Sequence, residues 1–224
     1  MEVALRKLGW QGNTILAAGR TDTGVHAEGQ VIAFDLEWNH PVEELLRAIN
    51  ANLPPDVAAR QVEPVAAGFH PRRDARLRRY RYSLFLQEER DPLRERYAWR
   101  VWPPADLAVL RKTAPLLVGR HDFAAFGTPP RAGSSSVRTV YQAEWREEKS
   151  GLIFEVTGDA FLYHMVRKMV WLQVVISQGK EDLSLLSLLL RPPKAVEGAS
   201  SPVVQGLAPA CGLVLAEVQY MPKK

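Results

Sequence analysis

Only one cysteine, Cys211, stands in the 224 residues. No intrachain disulfide and no Cys-spaced metal cluster is then possible, Cys211 reads as structural, and a reducing compartment is the simpler setting. Long apolar runs are also lacking. Glu2, Arg6, Lys7 and Arg20 interrupt the first twenty residues, and Arg167 and Lys168 break the most apolar helical stretch, 161 to 178. Neither a secretory leader nor a membrane span is expected, which leaves a cytoplasmic protein. No dinucleotide fingerprint and no GK[ST] phosphate loop occurs. Histidines are few, and neither His26 nor His164 has a second ligand at metal-binding spacing on its own element, so no metal is expected.

What is present is ordinary globular composition, 46% hydrophobic and 24% charged, enough for one large core or two smaller ones. The net charge of +4 is modest, but arginine is concentrated. HPRRDARLRRYRY, residues 70 to 82, carries Arg72, Arg73, Arg76, Arg78, Arg79 and Arg81 against the single acid Asp74. Such a run is either a polyanion-binding strip or a solvated face.

Hydrophobic period and punctuation give the first half as a helix at 2 to 9, strands at 13 to 18 and 29 to 36, a helix at 41 to 51 and a strand at 57 to 64. The second half reads as a strand at 76 to 86, a helix at 104 to 118, a hairpin of strands at 138 to 147 and 152 to 158, a helix at 161 to 178 and a strand at 212 to 220. Connections occupy 87 to 103 and 180 to 210, the latter with a short helix at 182 to 190 capped by Asp182. The second order, βαββαβ, is the ferredoxin-like unit, and the first half matches it without its opening strand. The expectation is an α+β protein of two ferredoxin-like halves, 1 to 68 and 69 to 224, forming one extended, mostly antiparallel sheet with helices on one face.

GRTDTGVHAEGQ, residues 19 to 30, has no hydrophobic alternation and reads as a functional loop. Gly19 and Gly24 would let the chain hold Asp22 at the tip of a tight turn. From residue type alone, a turn or capping aspartate is the competing reading. On the strand at 76 to 86, alternation places Arg76, Arg78, Tyr80 and Tyr82 on one face, interleaving guanidiniums with aromatic platforms in a manner suited to RNA. The same residues would equally serve as sheet packing and solvated charge.

GRTDTGVHA followed by EGQVIAFD closely resembles the GRTDAGVHA-x-GQV-x-x-F motif of the tRNA pseudouridine synthase A family. The resemblance continues in order through ANLPPDV (51 to 57), FHPRRDARLRRYRY (69 to 82), HDFAAFGT (121 to 128), SVRTV (136 to 140), FLYHMVRKMV (161 to 170) and LAPACGLVLAEVQY (207 to 220). It implies that Asp22 is the nucleophile and Arg167 its cationic partner. Arg20 would intrude where the target base leaves the stack, Tyr80 would contact that base, and Leu213 would wall the uracil. Each role has physical sense. A carboxylate that must stay charged in a water-excluding pocket needs a countercharge, and Arg167 in an apolar helix needs an acid. Extruding a stacked uridine needs replacement stacking. Arg78 would add a phosphate contact.

The implied reaction is an isomerisation of uridines 38, 39 and 40 in the tRNA anticodon arm, needing no cofactor, by a homodimer that contacts tRNA with both subunits. Family comparison also implies roughly thirty residues before the helix at 2 to 9, including a Tyr-Asp-Gly strand, in line with the missing strand of the first unit. Two other readings use the same residues. One is a catalytically silent RNA-binding fragment. The other is a metal-dependent phosphohydrolase built on Asp22, His26, His121 and Asp122.

Overall fold

Alternating side chains along residues 77 to 86 and the tight turn at Glu148-Lys149-Ser150-Gly151 organise the larger sheet. The computed structural model describes residues 1–130, 133–190 and 202–221. Their elements are α1 (Glu2–Lys7), β1 (Leu16–Ala17), β2 (His26–Ala27), β3 (Ile32–Ala33), α2 (Val42–Asn52), β4 (Leu77–Leu86), β5 (Trp99–Val101) and α3 (Leu107–Thr113). They continue with β6 (Gly119–Asp122), β7 (Val137–Glu148), β8 (Gly151–Gly158), α4 (Met165–Ser177), α5 (Leu183–Leu189) and β9 (Leu213–Gln219). This is an α+β protein with a mostly antiparallel sheet, and no described helix is long and apolar enough to cross a membrane. The chain divides into two compact units, residues 1–20 with 31–74, and residues 21–30 with 75–224.

In the first unit, β1 and β3 pair antiparallel. The amphipathic helix α2 buries Leu45 and Ile49, four residues apart, against Leu5 of α1 and Trp10. The expected strands at 13 to 18 and 29 to 36 shrink to two residues each. The strand expected at 57 to 64 does not form. Instead, the Asn50 side chain takes the place of a strand partner, donating to the Ala59 carbonyl at 2.8 Å and accepting from the Ala59 amide at 2.7 Å. With its backbone satisfied, the segment runs as irregular chain and still packs Ala59 and Val62 on the core.

The second unit holds a seven-stranded sheet, ordered β2-β9-β4-β8-β7-β6 with β5 added beside β4. Pairing is antiparallel except for β2 with β9 and β4 with β5. Gly151 closes the hairpin at φ 137°, a conformation open to glycine, and a Cβ there would lie 2.2 Å from the Leu84 carbonyl oxygen. Helices α3 and α4 pack with Tyr82, Phe154, Trp145 and Met169 into one apolar core. Gln173 is its polar centre, accepting from Thr113 and Trp145 and donating to the Met169 carbonyl. That network ties α3, α4 and β7 together with each polar group answered.

Helix ends follow local chemistry. Asp106 caps α3 by accepting from Ala108 and Val109, so the helix starts later than Pro104 suggested. Asp182 caps α5 through Ser184, as expected. Helix α4 begins at Met165 rather than 161, because Tyr163 pairs its backbone with Thr128 and His164 turns left-handed. Residues 191–201 of the expected 180 to 210 connection lie outside the described residues. A Cβ placed on Gly206 would stand 1.8 Å from the Trp171 ring. Gly206→Ala should therefore lower stability by about 1–3 kcal/mol through overpacking, read by urea unfolding. Trp171→Ala should remove that penalty; an undiminished midpoint in Gly206→Ala alone would show the contact is not tight.

Candidate active site

The loop 19 to 30 is held by its own turn and by β9. The Val25 amide donates to the Asp22 carbonyl at 3.0 Å, and Gly24 beside it sits at φ 85°. Past the turn, β2 runs parallel to β9, matching His26 with Val214 and Ala27 with Leu215. Glu28 and Gly29 both donate to the Leu215 carbonyl. Gly29 has no room for a side chain, since a Cβ would meet the Ala216 carbonyl oxygen at 2.5 Å. The His26 ring reaches the Arg96 carbonyl at 3.1 Å. These contacts fasten the segment that carries Asp22.

Arg167, in the first turn of α4, donates through Nη1 to Asp22 Oδ2 at 2.5 Å and through Nε to the Ala208 carbonyl at 2.7 Å. Their side chains are only 12% and 19% exposed, so the charges meet with little competing water. His164 Nε2 stands 3.3 Å from the same Oδ2. Burial, aided by Arg167 and Lys168 and opposed by Asp22, pushes the His164 imidazole below its ordinary range. The shift favours the neutral form of the ring. His164 has φ 67°, the one positive value at a non-glycine among the described residues, at a cost of roughly 1 kcal/mol.

Tyr80 lies half-buried on β4, edge-on to Phe161 at 5.1 Å. Burial raises its hydroxyl above the ordinary value, Arg78 opposes, and the Asp22 charge adds to the rise. That charge is thus close enough for Tyr80 to feel it. Leu213 is buried at the start of β9, cross-strand from Tyr82. Arg78 is 9% exposed and donates to the carbonyls of Asp159 and Ala75. It braces the chain after β8 and presents little surface for an exposed phosphate contact. Tyr82 is fully buried and donates to the Pro209 carbonyl, which makes it core. Arg79 pairs with Glu217 and Arg81 with Glu28, both at 2.6 Å, so these two arginines of the basic run are matched by acids on neighbouring segments. Arg20 belongs to the first compact unit, and its relation to Asp22 rests on sequence.

The loop thus brings Asp22 to Arg167, with Tyr80 within reach of the aspartate charge. His164 is the contact with Asp22 that sequence reasoning missed, having weighed the residue as a metal ligand. Its spacing of three from Arg167 within the helix expected at 161 to 178 was the available signal, because such residues would share a helix face. No group of three or more His, Cys, Asp or Glu able to hold a metal occurs among the described residues. His121 instead reaches the Val118 carbonyl, and Asp122 accepts from Ser136. The phosphohydrolase reading therefore has no ligand set.

Chemically, the site offers a fixed carboxylate, a guanidinium on one of its oxygens, and aromatic surface nearby. This combination suits work on a nucleoside. Nothing in it favours the catalytically silent alternative. The family model described as tRNA pseudouridine synthase matches residues 113–221. The chain is 35% identical to tRNA pseudouridine synthase A 1 of Bacillus cereus, covering 98% of this chain and 87% of the relative. It is 38% identical to tRNA pseudouridine synthase A of Moorella thermoacetica, covering 97% and 86%, and 36% identical to that of Myxococcus xanthus, covering 98% and 81%. Likeness at this level over nearly the whole length shows that the chain belongs to the tRNA pseudouridine synthase family, whose members are isomerases.

Proposed function

We propose that this protein converts uridine to pseudouridine at positions 38, 39 and 40 of the tRNA anticodon arm, as a cytoplasmic homodimer without cofactor. The observation that carries the reading is the 2.5 Å pair of Asp22 and Arg167 at the end of a loop clasped to β9. The reaction breaks the N1 glycosidic bond, turns the uracil and rejoins it to the ribose through C5. Atoms and electrons balance within the nucleoside, so no oxidant or donor is called for. Asp22 acts as the nucleophile, and Arg167 keeps its charge oriented. Tyr80 contacts the base, Leu213 walls the uracil, and Arg20 fills the space that the extruded nucleoside leaves.

The same reading takes residues 1 to 68 and 69 to 224 as ferredoxin-like halves. Support for the second half comes from its chain order β4-α3-β7-β8-α4-β9 and from adjacent strands running β9-β4-β8-β7. The site assignment is tested by incubating the protein with unmodified tRNA transcripts and mapping pseudouridine by chemical modification. Product is expected at 38, 39 and 40, and lost at each position where uridine is replaced by cytidine. Product confined to another arm, or none at all, would overturn the assignment.

A further inference from the structure

Beside Asp22 lies an aromatic surface that the proposed reaction leaves unused. Tyr163 stacks on the His164 ring, with centroids 3.7 Å apart and planes 28° from parallel. One face of the phenol is thus backed by the imidazole, yet the residue remains 59% exposed. An exposed tyrosine by itself is ordinary. This one is fixed in ways that a surface ornament does not require.

Its amide donates to the Thr128 carbonyl at 3.1 Å, and its own carbonyl accepts from the Thr128 amide at 3.4 Å. Gly127 packs so closely beneath that a Cβ there would lie 2.4 Å from the Tyr163 carbonyl oxygen. The next residue, His164, holds the left-handed conformation that turns the chain into α4. The backing ring then places Nε2 3.3 Å from Asp22 Oδ2. The platform is therefore registered to the reactive carboxylate through a single side chain. Loops that only pack have no need of strain, backbone clamping and an open aromatic face at one point.

We propose that the stacked Tyr163–His164 pair is a nucleobase platform, on which the open face of Tyr163 receives a base flanking the target uridine. Pulling a nucleoside from an RNA stem leaves its neighbours partly unstacked, and an aromatic ring restores that contact for any base. The imidazole stacked behind it at 3.7 Å supports the ring. Base identity would matter little, because every base offers a π face. Tyr163 would thus add affinity at the site without choosing the target by sequence.

The inference rests on Asp22 being the reacting group, and its test separates the two. Tyr163→Ala should raise KM for tRNA by about tenfold with kcat within about twofold, as expected for removal of one base stack. Tyr163→Phe and Tyr163→Trp should keep the wild-type KM, since both retain a ring. The same weakening should appear in tRNA filter binding when Tyr163→Ala is combined with Asp22→Asn, where no turnover is involved. Far-ultraviolet dichroism and the unfolding midpoint check that Tyr163→Ala folds. Unchanged KM and binding in folded Tyr163→Ala would overturn the platform while leaving the nucleophile assignment intact. Equal losses in the Ala and Phe variants would overturn it as well, because the ring would not be what matters.

Discussion

Asp22→Asn is expected to reduce turnover by on the order of ten-thousandfold or more, while tRNA affinity stays within about a few fold. The substitution exchanges one oxygen for an amide nitrogen of nearly equal size. Asparagine still offers a carbonyl oxygen to the Arg167 Nη1 that now donates to Asp22 Oδ2, so the loop keeps its anchor. The backbone bonds from Glu28 and Gly29 to Leu215 do not involve the side chain. What disappears is the negative charge and with it the proposed nucleophile. Tritium release from tRNA labelled at uridine C5 measures turnover, and filter binding measures affinity. Near-normal release by the variant would remove Asp22 from the mechanism.

Arg167→Met should lower turnover by about a hundredfold or more, the scale on which misplacement of a reacting group is felt. Methionine occupies similar space in α4 but supplies neither the bond to Asp22 nor the one to the Ala208 carbonyl. The carboxylate then loses its orientation, and two acceptors lose their donor. Partial exposure of both side chains softens the stability cost, which should be about 1–3 kcal/mol. Arg167→Lys should fall between, since an ammonium keeps the charge but not the planar fork that reaches both oxygens. Turnover and urea unfolding of the two variants provide the check. If Arg167→Met turned over as fast as the wild type, the pair would be structural only.

Reading the chain in one dimension located α2, β4, the β7–β8 hairpin, α5 and β9 within a few residues. Each is marked by a hydrophobic period, a turn or a cap that acts over a handful of positions. The failures have two causes. Residues 57 to 64 have strand-like content, but the Asn50 side chain captures Ala59. The first four residues of 161 to 178 look helical, but the pairing of Tyr163 with Thr128 holds them out of α4. Short strands such as β5 and β6 lack the length for a period to show. In the first two cases a partner outside the segment overrode a local preference, and in the last the strands are too short to read.

The site divides in the same way. The loop motif identified Asp22, and an arginine in an apolar helix asked for an acid. Alternation along β4 grouped Arg78, Tyr80 and Tyr82, yet it could not tell which would face core, carbonyl or site. Tyr82 went to the core and Arg78 to the Asp159 carbonyl, whereas Tyr80 packed edge-on against Phe161, where the Asp22 charge reaches it. The arginines between them met acids at positions 28 and 217.

By itself, then, the sequence determined the kinds of element, most of their positions, and the residue types that chemistry on a nucleoside requires. Those properties arise from backbone geometry and side-chain periodicity within a few residues. The family resemblance implied the pairing of Asp22 with Arg167, but only the tertiary structure shows the oxygen–nitrogen contact that closes it across 145 positions, and that His164 joins them. Contacts of that separation depend on how strands and helices pack, and a linear pattern carries no term for that.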